Sequence, residues 1–152
     1  MKDLRPLLKE LEDTIEHHTV LRPEVSSGAV GWHIEHCLLV IDVSIAALQK
    51  SDPAAYKWSF NFWRVLLFLL GWFPRGRARS PKAVQPKQSM EAPLLQEHLQ
   101  LTRERLNLLG SLGKDQFMKH PYFGLLDLAA TGRFLELHTK HHLKIIRDIL
   151  RS

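Results

Sequence analysis

Two histidines near the C-terminus are spaced so that both could bind one metal ion. His138 and His142 are one turn apart on a predicted helix over residues 128–150, so their imidazoles project from the same face. That face is otherwise apolar, with Ile145 and Ile146 beside the pair. An imidazole in an apolar interior needs a partner for each ring nitrogen. We expect a divalent cation to be one of those partners.

A third ligand would have to come from another part of the chain. The candidates are His33, His36, His98 and His120, and His141 lies beside the pair itself. Helix bundles hold metal ions between side chains that project inward from facing helices. Three neutral imidazoles suit zinc best, with nickel and iron(II) as alternatives. They would leave one coordination position open for water or substrate, as in catalytic zinc sites.

The competing interpretation is that these histidines are ordinary core residues. A single buried histidine more often hydrogen-bonds to the main chain or to a carboxylate than it binds a metal. Cys37, next to His36, is expected to be a small buried hydrophobic residue and neither a nucleophile nor a ligand. Because it is the only cysteine, an internal disulfide is excluded. Together with an N-terminus that lacks a signal-peptide core, this favours a cytoplasmic protein.

Helical periodicity predicts an all-α fold in a single domain, residues 1–152. The apolar pattern indicates four long helices, over about 4–15, 28–49, 91–112 and 128–150. No strand pattern is present, so we expect a four-helix bundle. The segment of about 51–90 is long enough to be a crossover connection. It is expected to contain a short extra helix over 61–71 and an extended stretch over 74–89.

The second predicted helix is apolar around most of its circumference, which is typical of a central helix packed on several sides. Its polar residues Glu35, Asp42 and Gln49 recur every seven positions and form one narrow strip. His33 and His36 lie on the side away from this strip. We therefore expect the two histidines to face inward, and the strip to point away from any site that they form.

Positive charge is concentrated in the crossover segment. The chain has a formal net charge of +5, yet residues 53–90 contain no Asp or Glu. Their basic residues are Lys57, Arg64, Arg75, Arg77, Arg79, Lys82 and Lys87. Such a segment is either a solvated basic loop or a binding site for an anion. If an anionic part of a substrate binds there, the candidates are Arg75, Arg77, Arg79 and Lys82.

The same segment is rich in aromatic residues, which precede the arginines instead of alternating with them. This order does not favour stacking on nucleic-acid bases, so we expect the aromatic residues to pack in the core. The longest apolar run, residues 65–73, is much shorter than the ~18–20 residues that span a bilayer. The run is interpreted as a buried or capping segment, with contact to a membrane surface as the minor alternative. Neither a nucleic acid nor a membrane is expected as the main partner.

Three stretches of the chain resemble one known family. They are VGWHIEH at residues 30–36, HPYFG at 120–124 and HTKHH at 138–142. This pattern is similar to the DinB-like superfamily, and more closely to its branch catalogued as a domain of unknown function. The resemblance implies a four-helix bundle, often a homodimer. It also implies a divalent metal held by His36, His138 and His142, with His33 as the rival for the first place.

The resemblance also implies an activity. Characterised members include metal-dependent transferases that use low-molecular-weight thiols, and a few hydrolases or isomerases. Many carry Arg-Gly-Gln after the second histidine of the pair, whereas Leu143, Lys144 and Ile145 follow His142 here. The metal is therefore implied more strongly than thiol transfer. We expect an enzyme that transfers a thiol to a small, anionic substrate or hydrolyses it; the alternative is a non-catalytic binding or regulatory module.

Overall fold

The computed structural model describes residues 3–75, 80–86 and 91–151. These residues form five α-helices and one β-hairpin, joined by loops and short 3₁₀ turns. The helices are α1 (Arg5–Asp13), α2 (Val30–Lys50), α3 (Phe62–Leu70), α4 (Ala92–Leu108) and α5 (Leu128–Arg151). The strands are β1 (Phe117–His120) and β2 (Gly124–Asp127). The prediction of a mainly helical chain is confirmed, and each of the long helices lies close to its predicted range.

The β-hairpin is a departure from the expected absence of strands. Its two strands pair antiparallel, with Met118 opposite Leu126 and His120 opposite Gly124. Each strand has only four residues, too few for an alternating pattern to be recognised in the sequence. The predicted turn at 120–124 is the turn of this hairpin, and Gly124 adopts a φ of 72° that favours glycine.

Helix α2 lies at the centre of the fold. It packs against α4 and α5, and α1 packs against the same two helices. By length and apolar character α2 could cross a membrane, but 67% of its most apolar window is buried within the protein. This identifies α2 as a core helix, as its nearly continuous apolar circumference predicted.

The predicted short helix is present as α3, but its charged residue points inward. Arg64 is 7% exposed. Its guanidinium donates to the carbonyl oxygens of Phe123 (3.3 Å) and Leu125 (2.9 Å), and also to that of Ser59. Buried carbonyls need such donors, so Arg64 ties α3 to the hairpin.

Five of the eight aromatic residues of the crossover do not pack in the core as expected, whereas Phe68 and Phe73 pack against it. Most of the large apolar side chains between 58 and 72 lie on the surface; the exposed ones are Trp58, Phe60, Phe62, Trp63, Val65, Leu69, Leu70 and Trp72. The long helices supply most of the core, and the connection adds Val84 to it. Over 74–89, the described residues include a 3₁₀ turn, Lys82–Val84, instead of a purely extended chain.

Candidate metal centre

Three histidines from two helices meet in the interior. His36 comes from α2, and His138 and His142 come from α5. Each offers one ring nitrogen, and these nitrogens lie within 4.8 Å of one another. The Nε2 atoms of His36 and His138 are 3.2 Å apart. Two nitrogens bound at ~2.0–2.1 Å to one tetrahedral ion would be roughly 3.3 Å apart, so this pair already has the spacing of two ligands.

Hydrogen bonds on the outer side of the cluster fix the ring orientations. Nδ1 of His36 donates to the main-chain oxygen of Val84, 2.6 Å away. Nδ1 of His142 lies 2.9 Å from Nδ1 of His33, whose Nε2 lies 2.9 Å from the Ser26 hydroxyl. Two proton assignments satisfy the contacts of His33 with Ser26 and His142. In the one that leaves Nε2 of His142 free for a metal, His142 donates to His33 and His33 donates to Ser26. Nε2 of both His36 and His142 is then an unprotonated acceptor.

This assignment leaves more acceptors than donors at the centre of the cluster. Only His138 could donate a hydrogen bond to these acceptors, and its one proton could reach only one of the two nitrogens. Its Nδ1 atom is buried and has no hydrogen-bond partner among the described residues. A divalent cation would satisfy three converging lone pairs at once. The donor set therefore fits a metal ion.

The cluster is neutral, as metal ligands must be. Burial lowers the pKa of His36. Burial, and then the neighbouring imidazoles, lower the pKa of His138 and of His142 well below the ordinary value of 6.5. Aromatic rings flank the site. The indole of Trp32 stacks on the ring of His36 with 5.0 Å between the ring centres, and the ring centres of Phe134 and His138 are 5.5 Å apart. The three imidazoles are thus available for coordination at neutral pH without loss of a proton.

Two of the other candidate ligands have different roles. His33, the rival for the first place, lies behind His142, and burial lowers its pKa to about 4. His120 accepts at Nδ1 from the amides of Tyr122 and Phe123, both at 3.2 Å. It therefore stabilises the hairpin turn.

His98 lies on α4 and contacts a different face of α2. It lies between the carboxylates of Glu35 and Asp42. Glu35 and Asp42 of the polar strip therefore point away from the three histidines, as expected, and toward α4, whereas Gln49 is exposed.

A sequence profile of the DinB superfamily matches residues 2–146. The chain belongs to the DinB superfamily. The resemblance inferred from the histidine and turn motifs is thereby confirmed at this level, while the branch within the superfamily stays a prediction. No curated protein and no solved structure matches the chain. DinB-like proteins bind metal ions, in keeping with the three clustered histidines. The identity of the metal and the ligation by His36, His138 and His142 stay predictions.

A basic groove lies next to the histidine cluster of this DinB-superfamily chain. It has a volume of about 640 Å³ and runs between α1, α5 and residues 71–75. Its charged and titratable lining residues are Arg75, Lys140, His141, Lys144, Arg147 and Asp148. The ring of His141 is 5.2 Å from that of His142. The groove and the candidate metal centre are therefore separated by a single imidazole.

The four predicted anion-binding residues do not all lie in the groove. Arg75 lines the groove, where it pairs with Asp148 at 2.5 Å. Lys82 is exposed at the turn that presents the Val84 carbonyl to His36, and it does not line the groove. Arg77 and Arg79 lie outside the described residues. The α5 residues Lys140, Lys144 and Arg147 were not among the predicted candidates, because in the sequence they look like the solvated face of a helix.

Cys37 is fully buried, as expected, and burial raises the pKa of its thiol. A thiol in such surroundings stays protonated and unreactive. If this DinB-superfamily protein uses a thiol, that thiol must therefore come from a bound molecule.

Proposed function

We propose that this chain is a metal-dependent enzyme that transfers a low-molecular-weight thiol to a small anionic substrate, or hydrolyses that substrate. His36, His138 and His142 would hold the divalent ion, zinc first and nickel or iron(II) as alternatives. The observation that carries this proposal is the convergence of three neutral imidazoles, two of which, His36 and His142, have their outer nitrogens held by Val84 and His33. When bound, such an ion lowers the pKa of a coordinated thiol or water.

The chain's own residues would orient the site and keep it dry. The Val84 carbonyl and His33 set the direction in which the His36 and His142 rings point. Outer hydrogen bonds of this kind hold a ligand set in place. Trp32 and Phe134 cover the rings and limit the access of bulk water. Electrostatic interactions inside the cluster are stronger in such an enclosed site.

The groove indicates the kind of substrate. Its apolar lining comes from Leu7, Trp72, Phe73 and Leu137, and its basic side chains come mainly from α5. Basic side chains attract and orient anions. A molecule with an anionic group and a short apolar part matches this lining. Its reacting end would have to pass His141 to reach the cluster.

Metal-dependent turnover is the test of the proposal. Untagged protein, loaded with one zinc, nickel or iron(II) ion per chain, is expected to conjugate thiols to the anionic electrophile 4-chloro-3-nitrobenzoate or to hydrolyse nitrophenyl phosphate. Chelation should remove this activity, and re-addition of the metal should restore it. Product formation is followed by absorbance, with His142→Ala as the negative control. A stoichiometric metal complex that turns over none of these substrates would contradict the enzymatic proposal.

Anion binding in the groove can be tested separately. Replacing Arg75 and Lys144 together by alanine is expected to weaken binding of inorganic phosphate about tenfold, since each lost charge contributes roughly 0.5–1 kcal/mol. Calorimetry measures the affinity, and metal analysis should show unchanged content. The matched control is Lys114→Ala with Lys119→Ala, two exposed lysines outside the groove lining. An equal loss in both double variants would show a general effect of net charge.

A non-catalytic, metal-stabilised module is the second candidate. The observation that favours it is the chemistry around the cluster: the groups that contact it are imidazole, indole and phenyl rings and a main-chain carbonyl. The indole, phenyl and carbonyl groups do not exchange protons at neutral pH, and burial lowers the pKa of His33 to about 4, so its imidazole is a weak base. A large drop in melting temperature on chelation, without turnover, would support this candidate.

We further propose that α1, α2, α4 and α5 form the four-helix bundle expected for the family, and that the functional unit is a cytoplasmic homodimer. The contacts of α1 and α2 with α4 and α5 support the bundle. The dimer and the location rest on the family resemblance and on the composition alone.

A further inference from the structure

The outward face of α3 is entirely apolar. The side chain of Leu69 is 80% exposed, that of Trp63 61% and that of Phe62 59%. The only charged residue of the helix, Arg64, is buried against the hairpin. A surface helix normally has the opposite arrangement, with apolar residues inside and charges outside. The exposed face of α3 is therefore built to contact something other than water.

The apolar surface extends beyond α3. We define the aromatic face as the exposed residues Trp58, Phe60, Phe62, Trp63, Leu69, Leu70 and Trp72. Its five aromatic side chains are each more than half exposed. At 150–250 Å² for each buried aromatic side chain, they alone expose on the order of 500 Å². That equals the largest apolar patch of a typical monomer before the leucines are counted, and patches of this size mark interaction sites.

Charge indicates which kind of partner this surface suits. The aromatic face lies within residues 53–90, which carry seven Lys or Arg and no Asp or Glu. Lys57 and Lys82 are exposed, as is Arg75, whose guanidinium is paired with Asp148. A symmetric contact with a second copy would bring two such basic segments together. An anionic partner would be attracted instead.

The chemistry of the side chains favours a lipid surface over a folded protein as the partner. The outward face of α3 has a single side-chain hydrogen-bonding group, the indole N–H of Trp63. Protein–protein interfaces normally include about one hydrogen bond per 100–200 Å². Tryptophan beside lysine and arginine is typical of the membrane–water interface, where the rings lie at headgroup level and the cations meet lipid phosphates.

We propose that the aromatic face binds to the surface of an anionic phospholipid membrane, with α3 lying in the plane of the interface. Helix α3 has nine residues and is about 13.5 Å long, so it can lie in a bilayer surface but cannot span it. The expectation that a membrane is not the main partner rested on the length of the apolar run. Length excludes only a spanning segment. This proposal does not depend on the metal centre.

Vesicle binding tests the proposal. The 152-residue chain is expected to co-sediment with vesicles that contain 30% phosphatidylserine, and at least fivefold less with pure phosphatidylcholine vesicles. Three of the four tryptophans lie in the aromatic face, so binding should shift the tryptophan fluorescence to the blue. Raising the salt concentration should weaken binding.

A matched pair of variants locates the binding surface. Leu69→Ser with Leu70→Ser is expected to reduce binding to the anionic vesicles at least tenfold. The control, Leu94→Ser with Leu101→Ser, makes the same chemical change at leucines of α4 that are 53% and 42% exposed, and it should bind like the wild type. Circular dichroism and metal content should be unchanged in both.

Three results would overturn the proposal. One is failure to bind vesicles that contain phosphatidylserine. Another is equal binding by the two leucine double variants. The third is a dimer in solution that Leu69→Ser with Leu70→Ser dissociates, in the absence of vesicle binding, which would assign the face to a second copy of the chain. Equal binding to neutral vesicles would remove the role proposed for the basic residues.

Discussion

The His142→Ala variant is expected to lose its bound metal, falling from about one divalent ion per chain to less than one tenth under the same loading conditions. His142 is 8% exposed, and its ring centre lies 4.7 Å from that of His36 and 4.6 Å from that of His138. Alanine would leave two imidazoles and an apolar gap. Loss of an outer-shell partner alone weakens metal binding 10–100-fold, so loss of a ligand should weaken it by more than ~100-fold.

A graded series of variants separates ligands from supporting residues. His33→Ala removes the hydrogen-bond partner of His142 but none of the three proposed ligands, and it should weaken binding roughly 10–100-fold. His141→Gln changes the residue adjacent to His142, which lines the groove instead of joining the cluster, and it should bind like the wild type. Competition with a zinc indicator gives the affinities, and elemental analysis of untagged protein gives the stoichiometry. Wild-type affinity in His142→Ala would refute the three-histidine centre.

The candidate site was partly predictable because helical periodicity acts over short distances. The spacing of His138 and His142 alone places both rings on one face of α5. The choice between His33 and His36 could not be made in this way. Both lie on the inward side of α2, and their positions relative to His142 depend on how α2 is rotated against α5. Long-range packing sets that rotation, and family resemblance had to substitute for it.

Other parts of the site leave no signal in the sequence. The partner of His36 is a main-chain oxygen, that of Val84, and every residue type carries such an oxygen. The exposure of Trp63 and Leu69 was mispredicted for a related reason. Apolar composition indicates that a segment avoids water, but it does not indicate whether the protein's own core or an external partner provides the contact.

His98 shows how an inward-facing histidine can be mistaken for a metal ligand. Its Nδ1 atom lies 2.8 Å from Glu35 Oε2, and its Nε2 atom lies 3.0 Å from Asp42 Oδ2. Both ring nitrogens face acceptors, so both carry protons and the ring is cationic. The hydrogen bonds to Asp42 and then to Glu35 raise the pKa of His98 to about 9, against an ordinary value of 6.5. Arg105 adds a second cation at Asp42.

This contact makes stability depend on pH above neutrality. The folded protein holds the proton of His98 up to about pH 9, whereas the unfolded chain releases it near 6.5. The contribution is therefore complete below about pH 6.5 and is lost as the pH rises toward 9, by up to about 3 kcal/mol. His33 and His120, with pKa values of about 4, affect stability only on the acid side. The raised pKa of Cys37 places its titration outside the window on the alkaline side.

Replacing His98 by leucine should therefore destabilise the protein by about 3–5 kcal/mol at pH 6.5, because it leaves the Glu35 carboxylate, 5% exposed, without its partner. The pH dependence between 6.5 and 9 should disappear with it. Urea unfolding at several pH values, at constant metal loading, measures both effects. His17→Leu, at an exposed histidine, is the control and should change little.

The double variant Glu35→Leu with His98→Leu decides whether charge is the cause. Replacing both members of a buried pair by apolar residues is often neutral or stabilising, whereas removing one of them is costly. The double variant should therefore recover most of the stability lost in His98→Leu, and it should show the same flat pH profile. If it is as unstable as the single variant, the loss comes from packing between α2 and α4, and the charged contact contributes little. If the wild type keeps its stability up to pH 9, His98 is not held in its cationic form.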